Sequence, residues 1–232
     1  MKYSYFLLIF VFLFWSCNDD MYDNIKKFVD KEIVYPGHFD QPTGKIGFER
    51  VEIDLLDAGR IPSSEIHLGK ATKTYVEYGE TTLIIDSVCS WVNITGLTEV
   101  NIYRFVIRSM DEYGNKSIPV EISLIPYTQA DLNSLDLLPP SISESETGVV
   151  VAWRNSLSSN LFEFYSYTYQ YTDKDNKTHT GEGMSDEPVI PLENVNKGEP
   201  IMLSMNCRII PRLNNIPILD TLNLKRQWDI TF

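Results

Sequence analysis

The sequence predicts an all-β protein: two tandem β-sandwiches behind a leader and a short tether. Three observations lead there. Beyond residue 32, apolar residues recur at alternate positions in one segment after another, the period of a half-buried strand. No segment past the tether carries a long 3.6-residue pattern. Pro139-Pro140 then divides the chain into two stretches, each near the ~100 residues of a single sandwich.

The N-terminus is a leader. Met1 and Lys2 precede ten consecutive apolar residues, Phe6 to Trp15. A membrane-spanning helix needs about 20, whereas a secretory h-region needs about 7–15. Ser16 is small, and Cys17 follows at once. A secretory signal that ends in a small residue and a cysteine resembles the bacterial lipoprotein signal. That resemblance implies a signal peptide of residues 1–16, cleavage before Cys17, and acylation of the Cys17 thiol. Acyl chains bury many CH₂ groups at about 0.8 kcal/mol each, so two or three of them hold a protein to a membrane. Asn18-Asp19-Asp20 resembles the acidic export stretch of Bacteroidetes surface lipoproteins, and implies an outer-membrane protein facing the cell exterior. The alternative is an ordinary signal peptide with an incidental cysteine. Residues 17–31 are polar, with Tyr22, Ile25, Phe28 and Val29 at helical spacing, and fit a short helix or a loose tether.

Charge narrows the partners. Twenty basic residues stand against 32 acidic ones, a net −12. A nucleic-acid partner requires a basic patch for phosphates and is excluded on that ground. Beyond Cys17, only Cys89 and Cys207 remain, one in each half, and both are expected to be free thiols rather than a disulfide.

Residues 32–128 are assigned to the first sandwich. "RVEIDLL" alternates Val51, Ile53 and Leu55 against Glu52 and Asp54. "KTYVEYG" and "TTLIID" are two further strands about Gly79-Glu80. Val92, Ile94 and Leu97 lead to Tyr103, Phe105 and Ile107, which share one face. A turn, Asp111 to Asn115, joins these to Ile118, Val120, Ile122 and Leu124. The pattern I-x-x-L, Y-x-F-x-I, G-N-x-S resembles strands E to G of a fibronectin type III or immunoglobulin-like domain. "IDLL" stands where that fold usually has a strand-B tryptophan.

Residues 129–138 are read as a linker, and residues 139–232 as the second sandwich. "GVVVAWRN" places Trp153 where a core tryptophan belongs. "FEFYSYTYQYTDKDNKTHTG" reads as a long strand, a turn at Asp173 to Lys177, and a return strand. Tyr165, Tyr167, Tyr169 and Tyr171 alternate along it and are assigned inward as core. Ile201, Leu203, Met205 and Cys207 point inward on the next strand. Leu222, Leu224, Trp228, Ile230 and Phe232 share a parity on the last.

"EIVYPG", "VIRSMDEYGNKSIPVEI" and the upstream cysteine together resemble a Bacteroidetes lipoprotein domain family of unknown function. Such proteins accompany nutrient-uptake systems of the starch-utilisation type. The resemblance implies an accessory surface lipoprotein that captures glycan, with polysaccharide or outer-membrane uptake proteins as partners. It carries over no catalytic residue.

The residues give no reaction either. His38, His67 and His179 are far apart, and no zinc spacing or nucleophile elbow exists. "DKDN" lacks the glycine and distal glutamate of a calcium loop and reads as a β-turn. No enzyme activity, metal or cofactor is expected. The candidate glycan contacts are Trp91, outward if Val92 and Ile94 are inward, and Tyr113 at the tip of its turn. The competing reading of Trp91 is a ring covered by the tether or the neighbouring domain. Ser87 in Asp86-Ser87-Val88 and Thr221 in Asp220-Thr221-Leu222 match the triplet that Bacteroidetes O-glycosylate. The competing function is a structural or adhesion spacer, or a protein-docking module.

Overall fold

The computed structural model describes residues 35–232; the leader, Cys17 and the tether lie outside them. Seven strands form the first half: β1 (Thr43–Gly47), β2 (Arg50–Asp54), β3 (Lys73–Tyr78), β4 (Thr81–Ile85), β5 (Trp91–Thr95), β6 (Tyr103–Met110) and β7 (Val120–Leu124). They pair antiparallel as two sheets, β1-β2-β5 and β4-β3-β6-β7. Alternation decides which side chains meet between them. Val51, Ile53, Val92 and Ile94 face Val76, Phe105 and Ile107 in one core, each at most 3% exposed. Each such side chain contributes about 1.5–3 kcal/mol by leaving water. In the segment that lacks the tryptophan, Ile53 and Leu55 are fully buried in this core. Ile118 precedes β7 and is 75% exposed, so the inward set of that run begins only at Val120.

The second half repeats the plan. Its strands are β8 (Ser141–Ser145), β9 (Gly148–Ala152), β10 (Phe162–Thr172), β11 (Thr178–Gly183), β12 (Val189–Glu193), β13 (Ile201–Leu213), β14 (Ile216–Pro217) and β15 (Leu222–Ile230). The sheets run β12-β9-β8 and β11-β10-β13-β15, with the short β14 pairing the end of β13. Three strands on four, in matching order, are the two tandem sandwiches that the sequence predicts. Trp153 is buried at 3%, its indole N–H donating to the Leu138 carbonyl at 2.8 Å, and it meets Trp228 edge-on at 5.1 Å. Cys207 is fully buried, which pushes its thiol up to about 12. Cys89 and Cys207 are both free thiols.

One strand departs from simple alternation. Phe162 and Phe164 are buried, but so are Tyr167 and Tyr171, whose parity is opposite. The pairing of β10 with β13 shifts between Phe164 and Ser166, a β-bulge. The extra residue turns Tyr165 outward to 50% exposure, against its assignment to the core; Tyr169 is half-buried.

The stretch between the sandwiches is built as well. Residues Gln129–Ser134 form a helix, α1, capped by Thr128. Its Oγ1 accepts from the Asp131 N–H, while Asp131 accepts from the Thr128 N–H at 2.8 Å. Leu132, Leu135 and Leu137 then sink into the second core. Arg226 of β15 donates to the Leu135 carbonyl, tying the far end of the connector to the sheet.

Candidate functional site

The outward parity of β2 and β5 gathers charge on one face of the first sandwich. Lys45, Glu52 and Asn93 lie in one cross-strand row, and Asp54 and Trp91 in the next. Arg50 sits on the far side of Glu52 along β2. Arg60, from the loop after β2, reaches over this face. It donates to Asp54 at 2.9 Å and to Glu52 at 2.5 Å. Lys45 donates to the other Asp54 oxygen at 3.0 Å, and Arg50 to the other Glu52 oxygen at 2.6 Å. The Arg60 hydrogen bond, then that of Arg50, holds the Glu52 carboxyl below the usual range.

This network continues into the second sandwich. Arg50 donates from Nε and Nη2 to the two oxygens of Asp220, at 3.1 and 2.9 Å. The Phe48 N–H adds a third bond at 2.7 Å. Burial pushes the Asp220 carboxyl up, but the Arg50 and Phe48 hydrogen bonds outweigh it, and the net shift is downward. A Cβ on Gly47 would stand 2.5 Å from Asp220 Oδ2, so a larger residue there would push this pair apart. Around the pair, the Leu219 N–H donates to the Ile46 carbonyl, Tyr127 exchanges backbone bonds with Gly47 and Glu49, and Ile46 and Phe48 pack against the second core.

Trp91 lies at one end of this face, 38% exposed. The Arg60 guanidinium covers one side of its ring, 4.1 Å from the centroid. The cover is thus a loop arginine. Ser90 is buried and Cys89 half-buried against the first core, so Cys89 does not point out with Trp91 as its parity suggests. Both precede β5 or lie at its start, where extended alternation has not yet begun. Tyr113 is 79% exposed on the β6–β7 connection, an extension of the opposite sheet. Asp111 pins that turn by accepting the Tyr113 and Asn115 N–H groups. Trp91 and Tyr113 therefore belong to different sheets. Of the two triplets, Thr221 is exposed beside the engaged Asp220, whereas Ser87 is half-buried against Cys89.

The turn of the second sandwich at Asp173 is a staple. Asp173 accepts from the Asp175 and Lys177 N–H groups, pairs with His179 at 2.9 Å, and accepts from the Asn194 amide at 3.0 Å. The His179 hydrogen bond, then that of Asn194, puts its carboxyl far below the ordinary range. His179 stacks on Tyr171 at 4.8 Å. Every ligand of Asp173 is thus a nitrogen of the protein. Among the described residues, no group of three or more His, Cys, Asp or Glu could hold a metal ion.

Sequence reasoning found the outward position of Trp91 and missed Arg60 and the Arg50–Asp220 pair. The last has no local signal, since its partners are 170 positions apart.

No curated protein matches the chain. Solved structures similar to it include the chicken interferon gamma receptor alpha chain, at 12% identity over 84% of this chain and 98% of that one, TM-score 0.30. A two-domain fibronectin type III segment of chicken tenascin is 13% identical over 84% and 99%, TM-score 0.31. The FN1-FN3 domains of chicken CNTN1 are 12% identical over 82% and 68%, TM-score 0.35. A family model, by contrast, matches residues 17–216, ending before β15, and on that match the chain belongs to DUF4998, a domain of unknown function.

Proposed function

We propose that the chain is a non-catalytic spacer and docking module of the cell surface, held to the outer membrane through a lipid on Cys17 and facing the exterior. The observation that carries this reading is the junction between the sandwiches. Tandem domains joined by a free linker move relative to one another by default. Here one carboxylate takes three hydrogen bonds from the first sandwich, two apolar side chains of that sandwich join the second core, and the connector is itself a capped helix. Such a junction holds the two ends of the molecule at one fixed angle, as a spacer requires.

The test is a pair of spin labels, one on each sandwich, with distances read by pulsed electron resonance. The intact chain should give one narrow distribution, and Asp220→Ala a broader one. A wild-type distribution as broad as that of the variant would refute the spacer.

A second reading, glycan capture for a nutrient-uptake complex, is favoured by two exposed rings, Trp91 and Tyr113. The open side of the Trp91 indole offers a stacking surface, and its arginine cover a hydrogen-bond donor. The uptake proteins are the partners this reading implies, and the lipid on Cys17 supplies the membrane attachment in both.

A further inference from the structure

One hollow of the described surface is on neither of those rings. It lies across β11, β10, β13 and β15 of the second sandwich, with a volume of about 790 Å³. Pairing register defines its walls. Thr180, Gln170, Ser204 and Gln227 lie opposite one another and form one cross-strand row. Glu182, Thr168, Asn206 and Lys225 form the next row, two residues along each strand. Both rows carry the outward parity, opposite to the buried Tyr167, Met205 and Leu224. Rows two residues apart are separated by about 6.7 Å, and four strands extend across about 14 Å. The result is a trough that runs across the strands between two polar walls.

Its chemistry is selective. Three amides and three hydroxyls line it, groups that both donate and accept. Three charged residues line it: Lys225 and Glu182, at opposite ends of one wall on the outermost strands, and Arg226, whose guanidinium is engaged by the Lys225 and Leu135 carbonyls. A polyanion would find a single uncommitted cation here, Lys225. The backbone beneath is already paired within the sheet. One wall is pre-ordered: the Gln227 amide donates to Ser204 Oγ at 3.1 Å. The other contains an unmet acceptor. Asn206 Oδ1 is out of water and has no hydrogen-bond partner among the described residues. Buried acceptors are rarely left so. Turned toward the trough that Asn206 lines, this amide would meet a ligand hydroxyl able to satisfy it.

We propose that this trough binds a neutral oligosaccharide, laid across the strands with its hydroxyls bridging the two walls. The proposal rests on the glycan-capture reading but moves the site from the first sandwich to the second. It needs neither Trp91 nor Tyr113.

The test is affinity electrophoresis of the full chain in gels containing dextran, laminarin or xylan, with heparin and alginate as charged controls. At least one neutral polymer should retard the wild type, and the charged ones should not. Removing two hydrogen-bonding amides in Gln170→Ala/Asn206→Ala should weaken the interaction about tenfold or more. Thr168→Trp, at an exposed position that leaves the core intact, should block the trough and abolish retardation. Trp91→Ala and Tyr113→Ala should behave as wild type. Retardation lost in Trp91→Ala or Tyr113→Ala but kept in both trough variants would overturn this site while upholding glycan capture. Retardation by the charged polymers alone would overturn the ligand class. No retardation by any polymer would overturn the trough and glycan capture together.

Discussion

Glu52, Asp54 and Asp220 share three cations, Lys45, Arg50 and Arg60, along one face, and each carboxyl lies below its ordinary value. For Asp54 and Asp220, burial pushes upward, and the hydrogen bonds from the cations prevail. A lowered carboxyl stabilises the fold fully above the unfolded value of about 4, and that contribution is lost as pH falls through the lowered one. The melting temperature should therefore hold between pH 7 and about pH 5 and fall below about pH 4. Each half-exposed pair contributes about 1 kcal/mol or less. In Asp220→Asn, the fall between pH 5 and pH 3 should be shallower than in wild type, and parallel curves would refute the role of this carboxylate. At this scale the sequence was legible where parity governs. Val92 and Ile94 inward places Trp91 outward. Arg60 was illegible because a loop residue has no parity, and its reach depends on the path of the loop.

Strands were legible as elements because each buries one face, and a slip of one residue would turn that face to water. The bulge in β10 marks the limit of such reading. Four tyrosines at perfect alternation imply four equivalent environments, yet the register shift places Tyr165 in solvent and Phe164 in the core. Only the pairing with β13 shows where the extra residue goes. The connector helix was legible in principle: Thr128 with Asp131 three residues on is a capping pair. Six residues are too few to display a period, and Pro139-Pro140 draws attention to the break after it. Trp153 carries the clearest prediction for an element. Its ring fills the second core, and Trp153→Ala should cost about 3–5 kcal/mol, as other large aromatic truncations do. Urea denaturation followed by circular dichroism measures this directly. A midpoint within error of wild type would mean that Trp153 contributes little to the core.

For the whole molecule, the repeat of three strands on four was readable because each half repeats the same alternation. The hydrogen-bonded junction was not, since Arg50 and Asp220 are joined by nothing closer than 170 positions of chain. That separation fixes an order in time. On a chain emerging N-terminus first, every strand of the first sandwich exists before Leu219 and Asp220 do. The Arg50 grip is thus among the last contacts to close, together with the bond from the Leu219 N–H to the Ile46 carbonyl. Interactions absent from the folding transition state act on unfolding alone. Asp220→Ala should leave the refolding rate in stopped-flow experiments near wild type and raise the unfolding rate. A proportionate slowing of refolding would place the junction in the nucleus instead. The same order makes a chain halted before residue 219 chemically distinct from a finished one, because the Arg50 fork and the Phe48 N–H still lack the carboxylate that takes them. An Arg50 fork with no carboxylate in its grasp is thus the chemical mark of an unfinished chain.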